Sequence, residues 1–136
     1  MAVSETPSGI SINMKTILVI EDNPLNMKLA IFLLENAGYQ TIQALNAEDG
    51  IRLAQEKQPD LILMDVQLPG MDGLTATRVL KKDDTTRGIK VIAMTACAMI
   101  GDRERIEDAG CDGYIGKPIF IQEFQRIVST ILVTEK

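Results

Sequence analysis

"DLILMDVQLPGMDG", residues 60–73, is the stretch on which the reading of the whole chain turns. Leu61 to Met64 form an unbroken apolar run, which suits a parallel strand covered on both faces better than a half-exposed one. The run ends on Asp65, and turn formers follow at once, Pro69-Gly70 and then Asp72-Gly73. A buried strand therefore delivers one carboxylate to an edge.

Four more short runs lie to either side: "TILVI" (16–20), "TIQAL" (41–45), "KVIAM" (90–94) and "GYIG" (113–116). Between them are helical stretches with readable ends. Asn23 is placed to cap a helix with Pro24 at its first position, and Gly38 to stop it. Leu25, Leu29, Phe32 and Leu33 are expected to form that helix's buried stripe. Asn46 caps "AEDGIRLAQEKQ", Asp72 caps "GLTATRVLKKDD", and Gly110 ends "MIGDRERIEDAG". A last helix from 119 to about 133 puts Ile121, Phe124, Ile127, Val128, Ile131 and Leu132 on one side. Five β-α units in strict alternation imply an α/β fold, a parallel sheet with helices on both faces and right-handed crossovers. Residues 1–13 are small and polar and read as a flexible lead; 14–136 read as one domain.

The totals narrow the chemistry. The chain has 136 residues, 46% of them hydrophobic and 24% charged, with a net charge of -5. No cluster of Lys or Arg offers a footprint for nucleic acid, so direct DNA binding is not expected. No apolar stretch reaches the roughly 20 residues of a membrane span, and no export signal is visible, so a cytoplasmic location is expected. Cys97 and Cys111 form no paired motif, which fits free thiols in a reducing compartment. There is no histidine at all. Catalytic triads, imidazole bases and most transition-metal sites are removed together.

In open α/β sheets, ligands bind beyond the carboxyl ends of the strands. Strand 1 runs into Glu21-Asp22, strand 3 into Asp65, strand 4 into Thr95-Ala96 and strand 5 into Lys117-Pro118. Singly, each has an ordinary structural explanation as turn, cap or solvated charge. Together they gather three carboxylates, a hydroxyl and an ammonium at one edge. Oxygen ligands without imidazole or thiolate describe a hard-cation site such as Mg²⁺. One lysine beside three acids leaves about two negative charges for such an ion to neutralise. A neutralised pocket admits a phosphoryl group, which a carboxylate can attack to form an acyl phosphate.

With "ILVIEDNPLNMKL", "PDLILMDVQLPGMDG", "VIAMTA" and "GYIGKPI" in this order, residues 15 to 134 resemble the receiver domains of two-component response regulators. Through "EDNPLNMKL" and "GDRERIEDAGCDGYIGKPI" the chain resembles, within that family, single-domain cell-division regulators of the DivK type. The resemblance implies a CheY-like, flavodoxin-like sheet of order 2-1-3-4-5. It implies Asp65 as phosphoacceptor from a histidine kinase or a histidine phosphotransfer protein. Asp22, Asp65 and the carbonyl of Gln67 would ligate Mg²⁺, or Mn²⁺ in its stead, with Glu21 assisting through a water. Lys117 would bridge to the phosphoryl oxygens, and Thr95 would bond to them. Tyr114 stands at the switch aromatic, and Pro118 where a cis peptide bond is common in the family. Many receivers open with two aspartates, whereas the first acid here is Glu21. Gln67 and Cys97 fall where phosphoryl lifetime is tuned. Output is expected through protein contacts on the face of helix 4 (about 99 to 109), strand 5 and helix 5, where Met99 and Ile100 are candidate contacts.

Other readings share parts of this pattern. A receiver excised from a hybrid histidine kinase has the same opening motif. An aspartate-nucleophile phosphatase also places Asp at a strand end beside Mg²⁺, but usually with a second acid two residues on, where this chain has Gln67. A flavodoxin-like cofactor binder needs a phosphate loop after strand 1, and "EDNPLN" is acidic there. A non-phosphorylated interaction module of this fold generally loses part of the acid, Thr and Lys set.

Overall fold

Five parallel strands in the order β2-β1-β3-β4-β5 form the centre of the protein, seen in a computed structural model that describes residues 14–96 and 100–133. The expected lead of residues 1–13 lies outside the described residues, as do Cys97, Met99 and the side chain of Ile100. Element order is β1 Thr16–Ile20, α1 Pro24–Asn36, β2 Gln40–Ala44, α2 Ala47–Lys57, β3 Leu61–Asp65, α3 Gly73–Lys82, β4 Lys90–Thr95, α4 Ile100–Ala109, β5 Gly113–Gly116 and α5 Ile121–Val133. Strict alternation with right-handed crossovers leaves α1 and α5 on one face and α2, α3 and α4 on the other.

The caps fall where the side-chain chemistry puts them. Asn23 accepts from the backbone of Leu25 and Asn26, Asn46 from Asp49 and Asp72 from Thr75. Gly38 and Gly110 take the left-handed conformation just past α1 and α4, with φ 98° and 103°. The second strand begins one residue earlier than the sequence suggests and ends at Ala44, leaving Leu45 outside it and exposed. The fourth extends one residue further, so that Thr95 is its last residue.

Alternation along each strand divides the core. Ile17, Val19, Leu61, Leu63, Ile92, Met94 and Ile115 pack against α1 and α5. Leu18, Ile20, Ile62, Met64 and Val91 pack against α2 and α3. Ala93 and Tyr114 meet Leu74, Ile106 and Ala109 on α3 and α4.

The stripe expected on α1 is largely corrected by the structure. Met27, Ala30, Leu33 and Leu34 are buried, whereas Leu25 is 77% exposed, Phe32 64% and Leu29 also faces out. The helix carries apolar residues around most of its circumference, so periodicity alone does not choose the inner side. The stripe containing Ala30 goes inward. In α5 the expectation holds for Phe124, Val128 and Leu132, with Ile127 and Ile131 packed against them, but Ile121 is 54% exposed in the first turn. Phe124→Ala is expected to cost about 3–5 kcal/mol of stability, whereas Phe32→Ser changes it by no more than about 0.5 kcal/mol. Urea unfolding of the two variants checks this assignment.

Candidate functional site: an acidic cluster bridged by one lysine

The polar edge is assembled by the ends of β1, β3 and β5. Glu21 continues β1, its N–H donating to the Ala44 carbonyl at 3.0 Å. Asp65 is the last residue of β3, and Lys117 follows β5 with its N–H on the Thr95 carbonyl at 2.8 Å. In the strand alternation, Glu21, Asp65 and Lys117 all fall on the side that holds Val19, Leu63 and Ile115. The sheet therefore aims three distant parts of the chain at one point.

Lys117 Nζ lies 3.2 Å from Glu21 Oε1 and 3.3 Å from Asp65 Oδ2. Glu21 and Asp65 are 1% and 3% exposed, while Asp22 is open to solvent. One carboxylate oxygen from each of Glu21, Asp22 and Asp65 lies within 4.8 Å of the others. Two backbone donors brace the cluster: Asn23 N–H to Glu21 Oε2 at 3.1 Å and Gln67 N–H to Asp65 Oδ1 at 3.0 Å.

Burial pushes the Glu21 carboxyl above its ordinary range, and the neighbouring Asp65 pushes it further; the Asn23 N–H and Lys117 oppose this without cancelling it. One ammonium thus leaves the acid cluster short of positive charge. An exposed carboxylate beside two buried ones, all oxygen donors, fits a hard divalent cation with open positions toward solvent.

The remaining expected residues divide into two groups. Thr95 is buried at the end of β4, beside the strand that ends in Asp65. Gln67 is joined to Asp65 through its backbone. Tyr114 is not part of the acid cluster; its hydroxyl accepts a hydrogen bond from Arg103 Nε on α4. The Lys117–Pro118 peptide bond is cis, as the resemblance implies.

Sequence reasoning placed Gly73 at a turn and at the start of the helix capped by Asp72, as found, but missed its closeness to the site. A Cβ there would stand 2.1 Å from the backbone oxygen of Asp65, and its N–H donates to the Val66 carbonyl at 3.0 Å. Its signal in the sequence was a glycine at the first position of a helix, where propensity gives no reason for one.

Comparisons with known proteins agree with this geometry. Residues 17–129 match the response regulator receiver domain family. The chain belongs to that family. It is 50% identical to the polar-differentiation response regulator DivK of Brucella anthropi over 118 residues, covering 87% of this chain and 96% of that one. The DivK of Brucella ovis is 48% identical over the same span. Among solved structures, the receiver domain of a Pseudomonas aeruginosa sensor histidine kinase superposes with a TM-score of 0.83 at 36% identity, over 89% of this chain and 99% of that one. That structure has a magnesium ion coordinated in its active site cleft. A CheY-like receiver protein of Methanospirillum hungatei has a TM-score of 0.83 at 26% identity, over 90% and 97% of the two chains. The chain is thus a DivK-like member of a signalling family, with the CheY-like fold expected of it.

Two outcomes follow from the site's geometry. Gly73→Ala is expected to lower stability and disturb the loop after Asp65, measured by thermal melting and by amide shifts of residues 65–73. The raised Glu21 carboxyl gives a signed pH dependence. The folded chain without metal holds a proton that the unfolded chain releases near the ordinary value of 4.5. Stability in EDTA therefore falls as pH rises from that value through the folded-state pKa. Glu21→Gln removes the slope and is expected to melt higher than wild type at pH 7 in EDTA, read by calorimetry across pH.

Proposed function

We propose that this protein is a phosphoacceptor in a two-component relay, taking a phosphoryl group on Asp65 from a phosphohistidine of a histidine kinase or histidine phosphotransfer protein. The observation that carries this reading is Lys117 bridging Glu21 and Asp65 beside the exposed Asp22. An Asp65 carboxylate oxygen attacks phosphorus, an O–P bond forms, and the N–P bond of the donor breaks with its electron pair returning to the imidazole. Lys117 stabilises charge on the transferring oxygens, and Thr95 bonds one of them after arrival. Asp22, Asp65 and the Gln67 carbonyl would hold Mg²⁺, or Mn²⁺, with Glu21 assisting. Such an ion supplies positive charge against the phosphoryl oxygens. The magnesium ion in the cleft of the Pseudomonas receiver, a protein 36% identical to this chain, supports magnesium as the ion.

Output runs through protein contacts on α4, β5 and α5, with Tyr114 turning inward when Thr95 engages the phosphoryl group. The match over 96% of the Brucella anthropi DivK supports a single-domain regulator of that type, and the proposed place of action is the cytoplasm. Residues 14–136 serve as the receiver unit in this reading. Among the described residues no helix is long and apolar enough to cross a membrane.

Incubation with acetyl phosphate, followed by intact mass, tests the proposal. A gain of one phosphoryl group is expected with Mg²⁺, little without it, and none in Asp65→Asn. Thr95→Ala is expected to label nearly as wild type. Multiple turnover of a small phosphate ester without stoichiometric labelling would point instead to an aspartate-nucleophile phosphatase.

A further inference from the structure

We infer that Arg103 latches Tyr114 in an outer seat and so sets the resting balance of the switch proposed above, whose inner seat for the ring lies over Gly116. This rests on the proposed phosphoacceptor role for its trigger, but the latch itself rests on contacts around Tyr114. Arg103 Nε donates to the Tyr114 hydroxyl, and its guanidinium carbon stands 5.3 Å from the ring centroid, within cation–π reach. The sequence offers Arg103 a different partner, Glu107 one helical turn on. Yet Arg103 forms no ion pair among the described residues, while Arg105 on the same helix pairs with Asp102 at 2.9 Å. The guanidinium is turned to the phenol instead.

The second seat follows from strand register. Tyr114 pairs with Ala93 and Gly116 with Thr95, so Tyr114, Gly116, Ala93 and Thr95 share one face of the sheet. Gly116 lies two residues beyond Tyr114, level with Thr95. Its backbone is outside the left-handed region, and a Cβ built on it meets no atom within 4 Å. Neither backbone geometry nor close packing demands glycine there. Two residues of strand span about 7 Å, which is comparable to the reach of a tyrosine side chain. A ring laid along the strand over Gly116 reaches the level of Thr95.

The two seats differ in what they tie together. In the outer seat, Arg103 joins α4 to β5 through the phenol. In the inner seat that tie is broken, and the Arg103 guanidinium is released to the α4–β5 surface. Arg103 is therefore a positioning residue, and Gly116 is the space that the moving ring needs.

The full chain labelled with 3-fluorotyrosine, in a Tyr39→Phe background that leaves Tyr114 as its one tyrosine, reports the seat by ¹⁹F NMR. The H₂O/D₂O isotope shift of the fluorine reads ring exposure, which loss of a neighbouring arginine alone does not lower. Without any phosphoryl analogue, Arg103→Ala is expected to raise the inner population about tenfold, the scale of one hydrogen bond plus a cation–π contact. Arg103→Lys is expected to restore most of the outer population. Beryllofluoride with Mg²⁺ is expected to move wild type inward but not Gly116→Val, whose side chain fills the seat. A resting Tyr114 line and isotope shift unchanged in Arg103→Ala overturn the latch, whatever Asp65 does. A Gly116→Val ring that still moves inward, or a wild-type ring that ignores beryllofluoride, overturns the second seat. Only if acetyl phosphate also fails to label Asp65 does the phosphoacceptor reading fall with it.

Discussion

The rest of the site depends on Lys117 Nζ lying between two carboxylates that the fold has almost removed from water. Burying Glu21 and Asp65 is costly unless each has a charged partner or hydrogen bonds. The lysine supplies the partner, and the Asn23 and Gln67 N–H groups supply the bonds. Burial first, and the neighbouring Asp65 second, still hold the Glu21 carboxyl above its ordinary range. Three carboxylates beside one ammonium are compatible with a divalent cation, and Asp22 is the carboxylate open to solvent.

The parallel sheet makes this cluster possible and separates it from Thr95 and Tyr114. Side chains alternate, so Glu21, Asp65 and Lys117 continue the face packed by α1 and α5, whereas Thr95 and Tyr114 continue the face packed by α3 and α4. The two groups meet at the strand ends. There the Lys117 N–H bonds to the Thr95 carbonyl, joining the backbone of the lysine that faces the acids to that of the threonine on the other side. Gly73 closes the arrangement from below, since any side chain there would collide with the backbone of Asp65.

Much of the fold was legible because its signals are local. Unbroken apolar runs, Asn and Asp caps, and glycines past helix ends each act within a few residues. The edge residues were legible for a related reason: a strand's end fixes where its next residue goes. The inner side of α1 was not legible. Leu25, Leu29 and Phe32 are as apolar as Met27, Leu33 and Leu34, and only packing against the sheet distinguishes them. The closeness of Gly73 to Asp65 and the turn of Arg103 to Tyr114 are likewise relations between segments.

The sequence by itself determined the alternation of strands and helices, and it determined which carboxylates, hydroxyl and ammonium stand at strand ends. Those follow from period, capping and turn chemistry along the chain. Tertiary structure alone decided that one lysine reaches two acids, that α1 turns its alanine-bearing side inward, and that an arginine holds a phenol rather than a glutamate. Such choices are made by distances between residues far apart in the chain, where packing and desolvation, not local preference, select the partner.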